Sequence, residues 1–203
     1  GGLTTKNQWR DKGEEFFLPV RIMSKLFRGK YMDELKSLYE AKKLRTLSGK
    51  KYHGKKNHVN KFKKTYENWE YVPMSTENVE EAFQLLLKWK NLNLCHEHHD
   101  KNNESCVAAN YLRLFEELEV CGGILRVDGQ AVAFCIGSQV CDDTMVVHIE
   151  KALTEYEGAY AMINQQFVEH ECSHVTYVNR EDDTGDEGLR KAKLSYRPVF
   201  MVE

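Results

Sequence analysis

The residues best equipped for chemistry crowd together near the end of the chain, in YVNREDDTGDEGLRKAKLSYRP (177–198). This stretch opens like a strand, passes through a loop and becomes a short basic helix. A solvated turn between a strand and a helix needs two or three polar residues. This one carries Asn179, Arg180, Glu181, Asp182, Asp183, Asp186, Glu187 and Arg190. The acids can hold Arg180, Arg190 and Lys193 in place, or they can receive a cationic group. Gly185 and Gly188 permit the sharp turn, and carboxylates are favoured at the positive end of the helix that follows. A charged loop with internal ion pairs is the simpler alternative.

A second chemical feature lies upstream. TLSGKKYHGKKNHVNKFKKTY (46–66) holds seven lysines and no acid. Its Tyr52, Val59, Phe62 and Tyr66 fit a helix that buries one stripe and exposes a basic face. Lys50, Lys51, Lys55 and Lys56 suit contact with phosphates, either a tRNA backbone or anionic lipid headgroups. A solvated helix face is again the simpler alternative. CHEHHD (95–100) concentrates histidines, but adjacent histidines do not make tetrahedral spacing and no CxxC companion exists, so no metal is expected.

The elements that must position these groups emerge from pattern and composition. Of 203 residues 41% are hydrophobic and 11% aromatic, enough for a packed core and against wholesale disorder. The net charge of -2 conceals an asymmetry. Residues 1–66 hold 18 Lys and Arg against 6 Asp and Glu, and the remainder hold 11 against 25, which suggests segments with different partners. The longest apolar runs fall far short of the roughly 20 residues needed to span a bilayer. Six cysteines without a CxxC pair, and no signal peptide, lead us to expect reduced thiols in a cytoplasmic setting.

FFLPVRIMSKLFRGKYMDELKSLYEAKKL (16–44) begins strand-like and takes on helical spacing from Ser24 through Leu26, Phe27, Tyr31, Leu35 and Leu38. STENVEEAFQLLLKWKNL (75–92) is a predicted helix, with Ser75 or Thr76 as cap and Glu80 closing a capping box. ESCVAANYLRLFEEL (104–118) is another. CGGILRVDGQAVAFCIGSQV reads as two strands about an Asp-Gly turn. TMVVHIEKAL is a third strand, AYAMINQQFVEHE a helix, HVTYVN a strand, GLRKAKLSY a helix and VFMVE a last strand. The order implies an α+β domain with a mixed sheet.

That order resembles the GNAT acyltransferase fold: a mixed central sheet flanked by helices, here with a short N-terminal appendage. LSGKKYHGKKNHVNKF, GGILRVDGQAVAFCIG, HIEKA, GAYAMINQQF and YVNREDDTGDEGLRKAKLSYRP together resemble the family named for the C-terminal domain of phosphatidylglycerol lysyltransferase. The resemblance covers about residues 47–203, within a domain expected at 46–203. Residues 8–44 instead resemble a segment of two-tyrosine insertion-sequence transposases, which makes 1–45 a separate N-terminal segment without chemistry of its own.

The resemblance assigns roles. Glu150, at the end of VVHIE, stands where the superfamily often keeps a carboxylate as general base. Tyr196 stands where such enzymes often place a tyrosine as general acid. Asn179 and Arg180 would leave their strand into the cleft, joined by Asp183, Arg190 and Lys193 as substrate-binding groups. An acetyl-CoA enzyme cradles pyrophosphate in a glycine-rich turn at a helix start. The corresponding EYEGAYAMI offers only Gly158, beside Glu150, Glu155 and Glu157, so CoA is disfavoured as donor and no cofactor is expected. Lysyltransferase relatives draw instead on aminoacyl-tRNA. These relatives usually carry a further upstream half. The alternative is therefore an inactive, truncated fusion protein that binds nucleic acid or anionic lipid through its basic N-terminal half.

Overall fold

The computed structural model describes residues 38–93 and 99–180. In chain order these form β1 (Leu38–Glu40), α1 (Ala41–Thr46), a 3-10 turn (Lys50–Tyr52), α2 (His53–Thr65), β2 (Trp69–Pro73), α3 (Val79–Asn93), α4 (His99–Arg113), β3 (Cys121–Val127), β4 (Gln130–Cys141), β5 (Thr144–Ala152), α5 (Ala159–Glu171) and β6 (Tyr177–Asn179). The expected helix at 187–196, the strand after it and the segment before residue 38 lie outside the described residues. No described helix is long and apolar enough to cross a membrane.

The strands form one mixed sheet in the order β1-β6-β5-β4-β3-β2, in which only β5 and β6 run parallel. The β3–β4 hairpin forms as the Asp-Gly dipeptide demands: Asp128 and Gly129 both adopt positive φ, as a tight two-residue turn between right-twisted strands requires. Strand alternation then sends side chains to two cores. On one face Leu125, Cys135, Val147 and Val178 meet Leu44 of α1, Phe62 of α2 and Phe167 of α5. On the other, Ile124, Phe134, Ile136 and Ile149 meet Leu85 and Leu86 of α3 and Leu112 of α4. Each fully buried Phe or Leu of this kind contributes about 1.5–3 kcal/mol. The domain is thus an acyltransferase fold of the GNAT type, a mixed sheet between helical layers.

Several local expectations change. The helical spacing read through Leu38 gives way to a strand at Leu38–Glu40, because Tyr39 fills the core and the backbone pairs antiparallel with β6. The junction expected near residue 46 coincides with the end of α1, and Tyr39, Ala41 and Leu44 just before it are buried in the same core as the rest. Trp69–Pro73 forms an edge strand the sequence did not announce: its apolar residues break strict alternation, and Pro73 is tolerated at its end. Helix α3 starts three residues later than the Ser75 cap implied. Ser75 instead opens a turn with Asn78, whose Oδ1 accepts from the Ser75 backbone N–H at 2.8 Å, while Glu80 accepts from Gln84.

Two irregularities open the sheet on either side of β5. Between β4 and β5, Ile136 pairs with Ile149 and Gly137 with Val147, so His148 is the extra residue of a β-bulge. Between β5 and β6, pairing covers only Thr144–Val146 with Tyr177–Asn179, and β5 runs on to Ala152 with no described strand on that side.

Gly158, directly before α5, has φ 87°, and a Cβ there would lie 2.7 Å from the His58 carbonyl oxygen of α2. Gly158→Ala is expected to cost at least about 2 kcal/mol, since a left-handed alanine alone costs about 1–2. Gly129→Ala, at φ 77° with open space around it, should cost about 1 kcal/mol. Urea unfolding of the two variants checks this; equal losses would mean α2 does not rest on that turn.

Candidate functional site

Where β5 and β6 part, a charge pair crosses the gap. The Arg180 guanidinium, just after β6, donates to Glu150 Oε1 of β5 at 2.8 Å, with side-chain exposures of only 10% and 12%. The other carboxylate oxygen, Oε2, accepts from Asn164 Nδ2 of α5 at 2.9 Å. Asn164 is itself buried, and its Oδ1 has no hydrogen-bond partner among the described residues. Lys55 of α2 faces the same place. Burial, and then the Arg180 charge, pull its ammonium below the ordinary lysine range, with Glu150 opposing. Helix α2 therefore delivers one lysine into the site, while its Lys56 and the Lys50 and Lys51 of the preceding turn are exposed on the outer surface.

The sequence grouped Glu150 with Asn179 and Arg180. The sheet separates them. Val178 belongs to the core beneath α5, so alternation sends Arg180 to that same side and Asn179 to the opposite one. Glu150 and Arg180 are brought together; Asn179 is not with them. Both Glu150 oxygens are engaged, one by the Arg180 guanidinium and one by the Asn164 amide. Its geometry is that of an anchor for Arg180. Tyr196, Asp183, Arg190 and Lys193 lie outside the described residues, as does most of the histidine segment 95–100.

Sequence reasoning missed the opposite face altogether. There the bulged His148 places Nε2 2.7 Å from Ser138 Oγ of β4, and its ring stacks on Tyr111 of α4 at 5.2 Å between centroids. Ser138 is fully buried. Its signal was faint: a lone His in VVHIE alternates as an ordinary strand residue would, two residues on from Val146, the strand partner of Ser138. Three of the thiols are held protonated by their surroundings. Burial pushes Cys121 up to about 12 and holds Cys135 and Cys172 well above the usual thiol range, which keeps them protonated.

The first turn of α5 is the position a phosphate-binding acyltransferase would leave open. Here α2 lies across it. His58 carbonyl abuts Gly158, and Lys61 binds Glu157 at 2.7 Å.

The sequence profile of the family described as phosphatidylglycerol lysyltransferase, C-terminal, matches residues 32–203. The chain belongs to that family. A Bacteroides thetaiotaomicron conserved protein of unknown function is similar in structure, with 43% identity and a TM-score of 0.77 over 81% of this chain and 56% of that one. The C-terminal (DUF2156) domain of a candidate lysylphosphatidylglycerol synthetase from Agrobacterium fabrum shares the fold at 12% identity, with a TM-score of 0.58 over 83% of this chain and 58% of that one. An uncharacterized Mycoplasmoides gallisepticum protein is 28% identical over 167 residues, which are 82% of this chain and 53% of that protein. This chain thus spans little more than half the length of its relatives. What it contains is an acyltransferase-like domain of the lysyltransferase type.

Removing one partner of a buried ion pair leaves the other charged and desolvated, at a cost of about 3–5 kcal/mol. Glu150→Ala is expected to destabilise the domain by about that amount, whereas Glu155→Ala, which breaks a half-exposed pair with Lys88, should cost under about 1 kcal/mol. Urea midpoints of the two variants decide it. Comparable small losses would show that the Arg180–Glu150 pair is not a structural clamp.

Proposed function

We propose that the domain transfers an aminoacyl group from a charged tRNA to an amine or hydroxyl acceptor. The observation that carries this reading is the seating of α2 on the start of α5. An acyl-CoA donor needs free amides and a positive helix end for its pyrophosphate. Here that end is filled by the His58 backbone and flanked by Glu155 and Glu157. A tRNA ester needs no such cradle. It needs a basic surface along which a phosphate backbone can lie and a polar seat for the aminoacyl end. The 3-10 turn and α2 support the first with exposed Lys50, Lys51 and Lys56 beside the site. Lys55, Arg180, Asn164 and Glu150 support the second. The family match favours a lysyl group and an acceptor at an anionic lipid headgroup; both belong to the proposal.

Catalysis in this reading is mostly positioning. Holding the ester carbonyl next to a fixed acceptor replaces a bimolecular encounter, and Arg180, held by Glu150, faces the charge that develops on the carbonyl oxygen. The competing reading is a non-catalytic domain that binds nucleic acid or lipid through α2. It is favoured by one observation, the engagement of both Glu150 oxygens.

Filter binding with lysyl-tRNA and uncharged tRNA, and calorimetry with acetyl-CoA, separate these readings. We expect lysyl-tRNA to bind more tightly than uncharged tRNA, Arg180→Lys to erase that preference, and acetyl-CoA to give no saturable heat. Reversing Lys50, Lys51 and Lys56 to Glu should weaken both tRNAs alike and flatten the salt dependence. Saturable acetyl-CoA binding would overturn the donor assignment. Equal binding of charged and uncharged tRNA, indifferent to Arg180, would leave only the binding domain.

A further inference from the structure

Helix α5 presents an almost wholly apolar side to the sheet. Met162, Ile163, Phe167 and Val168 are fully buried there, and Asn164 is buried among them at 1% exposure. An asparagine is costly here twice over. Its short polar side chain competes with the helix backbone, and only one of its two amide atoms is satisfied. Nδ2 donates to Glu150 Oε2 at 2.9 Å, while Oδ1 has no hydrogen-bond partner among the described residues. A buried acceptor left unpaired destabilises a fold, and an apolar side chain of similar shape would avoid that loss. What this position supplies is therefore the N–H donor, not packing.

We infer that Asn164 is a positioning residue of the donor site: by holding Glu150 Oε2 it fixes the carboxylate that in turn fixes Arg180. The inference rests on the transfer reading proposed above and deepens it. Arg180 Nη2 meets Glu150 at Oε1, 2.8 Å away. An arginine beside an otherwise unbound carboxylate turns readily until two N–H groups meet both oxygens. Here α5 takes the second oxygen from its own side, so two elements set the carboxylate plane at once. Asn164 is also neutral. It orients the carboxylate without competing with it for the guanidinium, and Arg180 is held at the angle from which it faces the ester carbonyl.

The surroundings make this role separable from a merely structural one. Among the described residues, Lys55 reaches the pair from α2 and Arg180 from the end of β6. Cys135, the β4 neighbour of Glu150 in the sheet register, adds a thiol that burial keeps protonated. Asn164→Asp keeps size and shape and exchanges the N–H donor for an oxygen. Two carboxylates in such contact share one proton. While that proton is in place, the protonated carboxyl reproduces the native donor. Once it is lost, two like charges face each other and Glu150 is driven from its position. The same chain thus carries the native arrangement at low pH and a broken one at high pH.

The test uses the full chain and filter binding of lysyl-tRNA against uncharged tRNA between about pH 5 and 8.5, each variant compared with the wild type at the same pH. Circular dichroism at each pH follows the fold. Asn164→Leu is expected to reduce the wild-type preference for lysyl-tRNA about tenfold across the range. Asn164→Asp should lose as much at the alkaline end and recover to within a few-fold of the wild type at the acidic end. Recovery within one chain shows that it is folded and that the donor carries the effect. Asn164→Asp that follows the wild type throughout, or that loses the preference equally at every pH, would overturn the role of Asn164 and leave the donor reading standing. Undiminished preference in Asn164→Leu would do the same. A wild type that binds both tRNAs alike at every pH would overturn the donor reading and this inference together.

Discussion

A parallel pair of strands that stay together for only three residues is the constraint on which the site depends. β5 and β6 are joined by the α5 crossover and pair from Thr144 to Val146. Beyond that point β5 must leave its neighbour, because the bulge at His148 increases its twist. Among the described residues no strand pairs with β5 past Val146 on that side. The Arg180–Glu150 pair spans that opening where hydrogen bonds between strands no longer can. Such a pair stabilises little in itself, since desolvation offsets most of the Coulomb attraction. Its effect is on geometry: it fixes a guanidinium in a dry place beside an opening, with Asn164 and Lys55 drawn in around it.

Helix α2 then decides which donors can enter from one side. Its buried stripe, Val59 and Phe62, packs on α5, and the contact is close enough to demand glycine at 158. Close packing here and an open anion site at the start of α5 are mutually exclusive. The same helix turns its lysines outward except Lys55, so the step that removes a pyrophosphate seat also creates a basic surface next to the site. Sequence pattern shows the lysines; only packing shows what they are next to.

Much of the fold was legible because it rests on local rules. The Asp128-Gly129 turn, the alternating β4 and β5, and the apolar stripes of α3 and α5 each follow from one periodicity. Legibility failed where a residue's fate depends on a distant partner. Leu38–Glu40 is a strand only because β6 offers an edge, and Trp69–Pro73 only because β3 does. The site divided in the same way. Arg180 and Glu150 were readable as a charged pair of candidates. That Asn179 faces away from both is a matter of one pleat, visible only once Val178 is known to be in the core. Ser138 and His148 are ten residues apart and are brought together by the pairing of β4 with β5, which no composition reports.

One strand therefore serves two faces. A regular β5 would send His148 and Glu150 to the same side, two residues apart. The bulge inserts a residue between Val147 and Ile149, and with it a change of side: Glu150 turns to α5 and its cation, His148 to α4 and its serine. A carboxylate and an imidazole on the same face would pair with each other and neutralise the group each is placed to hold. Kept apart by the sheet, Glu150 can anchor a guanidinium while His148 remains hydrogen-bonded to a neutral hydroxyl. The irregularity that weakens the ladder is what lets two adjacent groups on one strand keep different electrostatic environments.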